Sequence, residues 1–124
     1  MDALSEKEFE AKHIGLNKDL KDCNIIMKNI SKCKKVNTFI LATIGKVRSV
    51  CSEGKRLPNE NTKGKVRLDF FESTNMFDKV VCYKDKHKCL YTRKEEQGPI
   101  AVGCDQNKHP VHYGLEDKDP SLSR

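Results

Sequence analysis

Six cysteines occur in this chain of 124 residues, and no two of them form a Cys-x-x-Cys pair. An even number of cysteines in a short chain is typical of a disulfide framework, whereas structural zinc sites favour tightly spaced ligands. The segment from Cys82 to Cys89 encloses His87, but its spacing is loose and its lysines would repel a cation. We therefore predict three disulfides and no metal site. Six cysteines allow fifteen pairings, and the sequence pattern alone does not choose among them.

The disulfides matter because the chain has little else with which to stabilise a core. Only 36% of its residues are hydrophobic, and tryptophan is absent. The length suits one domain, and no repeat, low-complexity tract or linker divides the chain. We predict a single domain over residues 1–124, with flexible termini at residues 1–4 and 115–124.

Disulfides also indicate a secreted protein, because they persist in oxidising compartments. Charged residues interrupt the first ten positions, so this segment is not a signal peptide, and no segment is apolar enough to span a membrane. We expect Met1 to be a start residue added where a signal peptide was removed. Asn29 begins an Asn-Ile-Ser glycosylation sequon, although many sequons stay unused.

The net charge is +6, from 24 lysines and arginines against 18 acids. A basic surface attracts polyanions and accelerates their encounter. The alternative is that these lysines only keep the surface solvated.

Helical spacing is confined to the first half of the chain. Ser5 and Glu8 match a capping box, and a helix beginning there places Phe9 and His13 one turn apart on one face. Two further helices are indicated by apolar residues at helical spacing. One contains Cys23, Ile26, Met27 and Ile30, and the other contains Ile44, Val47 and Cys51, with Thr43 as its N-cap and a stop near Gly54.

Strand-like alternation follows beyond Gly54. Helices gathered early and strands gathered later predict an α+β fold with an antiparallel sheet. The predicted strands are Val66-Leu68-Phe70, Val80-Cys82, Cys89-Tyr91, Ile100-Val102-Cys104 and the segment from His109 to Tyr113.

Two histidines at opposite ends of the chain, with a lysine between them, form an acid/base pair and a charge neutraliser. They lie in three short segments, which are Phe9-Glu10-Ala11-Lys12-His13, Cys33-Lys34-Lys35-Val36-Asn37-Thr38-Phe39 and Pro110-Val111-His112-Tyr113. In residue identity and in order along the chain, these segments resemble those of the vertebrate pancreatic-type ribonuclease superfamily, whose signature is a Cys-Lys-x-x-Asn-Thr-Phe run. The chain looks like its three-disulfide, angiogenin-like branch in a non-mammalian vertebrate.

This resemblance implies a fold and a disulfide pairing. The implied fold has three helices against a curved, V-shaped antiparallel sheet. The implied bridges each tie the helical half to the strand half, and the fourth bridge of the pancreatic enzyme has no counterpart. They are Cys23–Cys82, Cys33–Cys89 and Cys51–Cys104.

The resemblance also implies catalytic roles, with no metal or other cofactor. RNA carries its own nucleophile, the ribose 2′-OH. His13 would be the base for that hydroxyl and His112 the acid for the leaving oxygen, since histidine titrates near neutrality. Lys34 would stabilise the additional negative charge of the transition state. Taken alone, either histidine is equally well a packed or surface residue.

Substrate binding is implied for five further residues of the motifs. Thr38 would read one edge of a pyrimidine, with Val36 and Tyr113 lining the pocket and Asn37 beside it, and Lys12 would contact the scissile phosphate. Other basic residues would position the strand without reading its sequence. These are Lys32, Lys63, Lys65 and Arg67.

Three departures from the family pattern predict weak catalysis. Gly114 stands where the pancreatic enzyme has an aspartate that orients the acid histidine, and Val81 stands where several members have an aspartate that assists the threonine. The long tail from Leu115 to Arg124 is acidic in part, and in angiogenins this segment covers the pyrimidine pocket.

The sequence therefore predicts a secreted, monomeric endoribonuclease that cleaves single-stranded RNA on the 3′ side of pyrimidines through a 2′,3′-cyclic phosphate. The alternative is an angiogenin-like signalling or antibacterial protein, with a cell-surface receptor, anionic cell surfaces or bacterial envelopes as partners and uptake to the nucleus. Its basic surface would include Lys84, Lys86, Lys88, Arg93 and Lys94. A structural or growth-factor module would explain the cysteines but not the motifs. His87 and His109 are expected to be surface residues.

Overall fold

The structure is a computed structural model that describes residues 5–63 and 66–114, without the side chains at 59–63 and 66. The predicted flexible termini and the acidic tail lie outside the described residues. None of the helices in the described ranges is long and apolar enough to cross a membrane.

The helices occur where the sequence predicts them, with one interruption. Ser5 caps the first helix by accepting a hydrogen bond from the Glu8 amide, and Thr43 caps the third in the same way. The third predicted helix is broken at Ser49, whose hydroxyl donates to the Lys46 carbonyl, a local bond that competes with helix continuation. The helices are α1 (Glu6–His13), α2 (Cys23–Ile26, extended by a 3-10 turn over Met27–Asn29), α3 (Ile44–Arg48) and α4 (Val50–Glu53).

In residues 5–63 and 66–114, seven strands form two antiparallel sheets, which confirms the α+β class. The first sheet has the order β1-β4-β5 and the second has the order β2-β3-β6-β7. The strands are β1 (Val36–Ile40), β2 (Lys55–Lys63), β3 (Val66–Glu72), β4 (Phe77–Lys84), β5 (Tyr91–Gly98), β6 (Ala101–Cys104) and β7 (Pro110–Tyr113).

Two of these strands have no alternating pattern and were not predicted. All five residues of β1 are buried, including Asn37 and Thr38, so polar and apolar residues do not alternate along it. Strand β2 is polar, and among the described strands its one partner is β3. It contains Pro58 within a shift of register, as an edge strand allows. Cys89, predicted to begin a strand, lies instead in the turn before β5.

Two apolar clusters form most of the core. One joins α1, α3 and α4 to both sheets and contains Phe9, Ile40 and Val102. The other packs α2 against the first sheet and contains Met27 and Phe39.

The disulfides join Cys23 to Cys82, Cys33 to Cys89 and Cys51 to Cys104, which is the pairing that the resemblance implies. They close loops of 59, 56 and 53 residues. Loops of this length restrict the unfolded chain by roughly 4 kcal/mol each in the chain-entropy model.

Candidate active site

His13 is the last residue of α1 and lies 5% exposed against strand β1. Its Nδ1 atom is 2.9 Å from the main-chain oxygen of Thr38. Because a carbonyl oxygen only accepts, Nδ1 must carry the hydrogen, and the basic nitrogen of the neutral ring is then Nε2. The fold thus fixes both the orientation and the tautomer of this imidazole.

Polar contacts hold α1 in place at both of its ends. At the start, the Arg48 guanidinium donates to both carboxylate oxygens of Glu6 at 2.7 and 2.8 Å, and this contact lowers the pKa of Glu6. At the end, the Lys18 ammonium donates to the carbonyls of Glu10 and Ile14. Burial lowers the pKa of Lys18. Both contacts restrict the helix that carries His13.

A chain of hydrogen bonds connects Lys34 to the same helix. The Lys34 ammonium donates to Asn37 Oδ1 at 3.0 Å, and Asn37 Nδ2 donates to the Lys12 carbonyl at 2.9 Å. Asn37 is fully buried, so its amide has a fixed orientation. The Tyr91 hydroxyl donates to the Lys34 carbonyl at 2.6 Å, and burial raises the pKa of Tyr91. Hydrogen bonds therefore fix both the side chain and the backbone of Lys34.

Two of the residues assigned to the base pocket, Thr38 and Tyr113, contact His13. The Tyr113 ring is stacked on the His13 ring, with centroids 5.3 Å apart and an interplanar angle of 27°. Val36 and Thr38 are buried and lie two positions apart on β1, which puts them on one face of the strand. Thr38 pairs with Val81 of β4, so the residue in place of the family aspartate is its direct neighbour.

His112 lies on β7 next to Tyr113 and is 4% exposed. Its ring meets the Phe70 ring edge-on, with centroids 5.8 Å apart. Gly103 is the register partner of His112, and a Cβ atom there would lie 3.0 Å from the Phe70 ring and 3.2 Å from the His112 Cβ. Because Gly103 has no side chain, the Phe70 and His112 rings have space to pack against each other.

A comparison with known protein families gives a match to the pancreatic ribonuclease family over residues 4–114. The chain belongs to this family.

Individual ribonucleases resemble the chain over most of its length. The oocytes ribonuclease of Aquarana catesbeiana is 30% identical, over 85% of this chain and 74% of the relative. The pancreatic ribonuclease of Proechimys guairae is 30% identical, over 88% of this chain and 91% of its own. A solved Rana catesbeiana cytotoxic ribonuclease, described as complexed with d(ApCpGpA) and 2′,5′CpG, is 27% identical with a TM-score of 0.66. That match covers 88% of this chain and 92% of the other. These relatives support ribonuclease activity.

Gly114, where this ribonuclease-family chain departs from the pancreatic pattern, has a conformation that only glycine adopts easily. Its φ is +42°, and a Cβ atom would lie 2.8 Å from the Ala101 carbonyl oxygen. The family aspartate is absent at this position, and the backbone conformation of Gly114 also disfavours any side chain there.

The remaining cations and histidines considered for this ribonuclease-family chain differ in their burial. Lys12 is half-buried, Lys32 is exposed and Arg67 is exposed on β3, while the side chains of Lys63 and Lys65 lie outside the described residues. His87 is exposed in a turn. His109 precedes β7, one residue earlier than the strand begins, and its amide donates to Asp105.

Sequence reasoning missed four residues that shape the site. Lys18 binds the carbonyls at the end of α1, and Phe70 packs against the His112 ring. Tyr91 binds the Lys34 carbonyl, and Gly103 leaves space for the Phe70 and His112 rings. Phe70, Tyr91 and Gly103 act on residues distant in the chain, so no local spacing indicates them. Lys18 acts locally, but its partners are main-chain carbonyls, which no residue pattern reveals.

Proposed function

We propose that this protein is a secreted endoribonuclease that cleaves single-stranded RNA on the 3′ side of pyrimidines. The observation that carries the proposal is the 2.9 Å contact between His13 Nδ1 and the Thr38 carbonyl in a chain of the pancreatic ribonuclease family. That contact presents Nε2 of a neutral imidazole as a base. The Tyr113 ring is stacked on this imidazole, and Asn37 connects the Lys34 ammonium to the carbonyl of Lys12, the residue before His13.

The proposed reaction has two steps. In the first, His13 removes the proton of the ribose 2′-OH, the oxygen attacks phosphorus, and His112 gives a proton to the leaving 5′ oxygen. In the second, the histidines exchange roles and water opens the 2′,3′-cyclic phosphate. Lys34 meets the charge that develops on the phosphoryl oxygens, and its bond to Asn37 positions it before the reaction begins. We assign Lys12, the residue before His13, a second contact with the phosphate.

The proposed pyrimidine preference rests on the buried face of β1. Val36 and Thr38 lie together there, with the Tyr113 ring stacked on His13 beside them. A pocket with such fixed walls accepts a single pyrimidine ring and excludes a larger purine by shape.

We further propose that catalysis is weaker than in digestive ribonucleases. Gly114 carries no carboxylate to orient the His112 ring, and Val81 supplies none opposite Thr38. Correct orientation of an acid or base by a partner is part of its catalytic efficiency.

The test is cleavage of defined dinucleotides by the native protein, His13→Ala and His112→Ala, all assayed in EDTA. Each substitution removes a general acid or base, so we expect a loss of about 10²–10⁴-fold in kcat/KM for uridylyl and cytidylyl substrates. His87→Ala, in an exposed turn, is the matched control and should retain full activity. Equal activity of native and His13→Ala protein would overturn the proposal, as would preferential cleavage after purines.

The disulfides support the proposed secretion, because such bridges persist in oxidising compartments. A second function is favoured by the exposed ammonium groups of Lys86 and Lys88, which suit anionic cell surfaces. Killing of bacteria that persists in the His13→Ala and His112→Ala variants would support a charge-driven host-defence role. Its complete loss in both variants would assign any such effect to RNA cleavage.

A further inference from the structure

Strand β5 lies at the edge of the first sheet. Of the strands that the structure describes, β4 is its one partner, and β5 runs for eight residues. A long edge strand presents unpaired backbone groups to any second strand that aligns with it. Which second strand fits depends on the backbone groups that point outward and on the side chains beside them.

At the start of β5, the backbone of Tyr91 points away from β4. Its amide donates to Asn24 Oδ1 at 2.8 Å, so it makes no bond to β4. The register partner of Tyr91 is Lys84, whose amide donates to the Lys35 carbonyl on the opposite side of β4. Tyr91 and Lys84 therefore form a pair that exchanges no backbone hydrogen bonds.

The other end of β5 has the same alternation. Gln97 is the register partner of Asp78, whose carbonyl accepts from the Leu41 amide at the end of β1. Backbone direction alternates along a strand, so the outward-facing residues are Tyr91, Arg93, Glu95 and Gln97. Within the part of the chain that the structure describes, no hydrogen bond engages the backbone groups of the last three.

Two of these outward-facing residues carry opposite charges. Arg93 and Glu95 lie on one face of β5, where the Arg93 guanidinium donates to the Glu95 carboxylate at 2.9 Å. Edge strands that carry charges of a single sign repel a second strand. A segment with both signs is different, because an antiparallel second copy places Arg93 opposite the partner's Glu95 and Glu95 opposite the partner's Arg93.

This register determines what lies at the symmetry axis. Antiparallel pairing of β5 with itself has a two-fold axis perpendicular to the sheet, midway between the two copies of Lys94. Like charges directly opposite each other are unfavourable. Here the Lys94 ammonium lies 5.7 Å from the centroid of the Tyr83 ring, over β4 and away from the axis. The Tyr83 hydroxyl also donates to Glu96, so a carboxylate lies near each ammonium.

The neighbouring register that keeps the same faces together has no such compensation. It places Glu95 opposite the partner's Glu95, so two carboxylates face each other at the axis. The register with Arg93 opposite Glu95 also brings Leu90, which precedes β5 and is 54% exposed, to each end of the interface. The apolar area of this side chain adds to the backbone hydrogen bonds and the charge pairs.

We propose that β5 pairs with β5 of a second copy of this chain, so that two three-stranded sheets form one sheet of six strands. The interface is isologous and departs from the monomer expected from the sequence. It does not depend on the proposed ribonuclease activity. Strand pairing alone buries less area than a standard interface, so we expect a weak dimer with a Kd on the order of 0.1 mM.

The first experiment is sedimentation velocity from about 10 µM to about 1 mM protein. An ionic strength of about 0.15 M screens the repulsion between two chains of net charge +6. Glu95→Arg places like charges opposite each other twice and should weaken the dimer at least about tenfold. Glu53→Arg makes the same change of net charge at an exposed position of α4 and should keep the native Kd. A native protein that stays monomeric at about 1 mM would overturn the proposal, as would equal weakening by both substitutions.

The second experiment exchanges the charges between two variants. Arg93→Glu and Glu95→Arg should each prevent self-association, whereas their mixture has opposite charges in both pairs and should form a heterodimer of about native affinity. Since Arg93 also donates to the Leu20 carbonyl, circular dichroism first establishes that Arg93→Glu is folded. A mixture of folded variants that stays monomeric would contradict the proposal.

The third experiment measures the register and does not need Arg93→Glu to fold. Lys94→Cys places two thiols opposite each other at the axis, at a Cα separation that a disulfide spans. Glu96→Cys lies on the same face, but its two copies are roughly 14 Å apart along the paired strands. With oxidised glutathione, Lys94→Cys should form a covalent dimer at least about tenfold faster than Glu96→Cys. Equal rates would show that β5 does not pair with itself in this register and would overturn the proposal.

Discussion

Asn37 Nδ2 donates a hydrogen bond of 2.9 Å to the main-chain oxygen of Lys12. Since Asn37 also accepts from the Lys34 ammonium, one buried amide sets the distance between the end of α1 and this lysine. The base candidate, His13, is the next residue after Lys12. A change at Asn37 therefore alters the placement of two groups proposed to act on one phosphate.

Replacing Asn37 by alanine should lower activity by more than the loss of stability alone would explain. The Asn37→Ala change leaves the Lys12 carbonyl without its donor, which costs about 1–3 kcal/mol in the free energy of unfolding. It also releases the Lys34 ammonium, and we expect kcat for a dinucleotide to fall about 10–100-fold. Ser73→Ala, which loses buried bonds to Ile100 and Asn75, is the control. It should lose stability but keep kcat in the folded fraction, and an equal loss of kcat in both variants would contradict the prediction.

Restoring the family aspartate at position 114 should harm the protein. Gly114 has a φ of +42°, and any Cβ atom there would lie 2.8 Å from the Ala101 oxygen. We expect Gly114→Asp to lower the free energy of unfolding by about 1–2 kcal/mol from backbone conformation alone, without raising kcat. Gly45→Asp is the control, because a Cβ atom at Gly45 meets nothing within 4 Å. A faster enzyme of unchanged stability would contradict this account.

The ion pair of Glu6 with Arg48 should make stability depend on pH. The Arg48 contact lowers the pKa of Glu6 in the folded protein. The pair therefore stabilises the fold above the unfolded-state pKa, about 4.3, and this contribution is lost as the pH falls through the lowered value. Glu6→Gln should unfold at lower urea concentration than the native protein at pH 7 and at the same concentration in strong acid.

Glu8→Gln is the matched control for this pH dependence. Glu8 lies in the same first turn of α1, so its substitution removes the same favourable charge at the helix start but no arginine contact. The difference between the two variants then measures the Arg48 interaction. An identical urea midpoint for both variants at pH 7 would show that the ion pair contributes nothing.

The Cys33–Cys89 disulfide should be reduced before the other two. The three loops have nearly equal lengths, so chain entropy does not distinguish the bridges. Solvent exposure distinguishes them, because Cys89 is exposed, whereas no cysteine of the other two bridges is more than 2% exposed. Limited thiol treatment followed by alkylation and peptide mapping should label Cys33 and Cys89 first. Prior labelling of Cys23 or Cys51 would contradict the prediction.

Removal of a buried bridge should be more damaging than removal of the exposed one. Cys51→Ala/Cys104→Ala opens a bridge inside the main core cluster and should cost about 2–5 kcal/mol in the free energy of unfolding. Cys33→Ser/Cys89→Ser should cost less, because Cys89 is exposed and its bridge lies at the surface. Thermal unfolding of the two variants measures the difference, and an equal or larger loss for Cys33→Ser/Cys89→Ser would contradict the prediction.

Local sequence rules predicted the helices and the α+β class. The Ser5 cap and the spacing of Phe9 and His13 are contacts between residues three or four apart, and the structure has both. The same rules missed β1, because burial on both faces removes the alternation that identifies a half-buried strand. They also missed the polar edge strand β2.

The sequence by itself determined where the helices begin, that the cysteines form bridges, and which histidines and lysine carry the ribonuclease resemblance. Only the tertiary structure decided how these groups meet. The bond from His13 to Thr38 and the bond from Asn37 to Lys12 each span 25 residues, and the Glu6–Arg48 pair spans 42. Such contacts depend on how α1 packs against β1 and β7, which no local spacing specifies. The convergence of lysines around Cys33 and Cys89 likewise exists only after the chain has closed that disulfide.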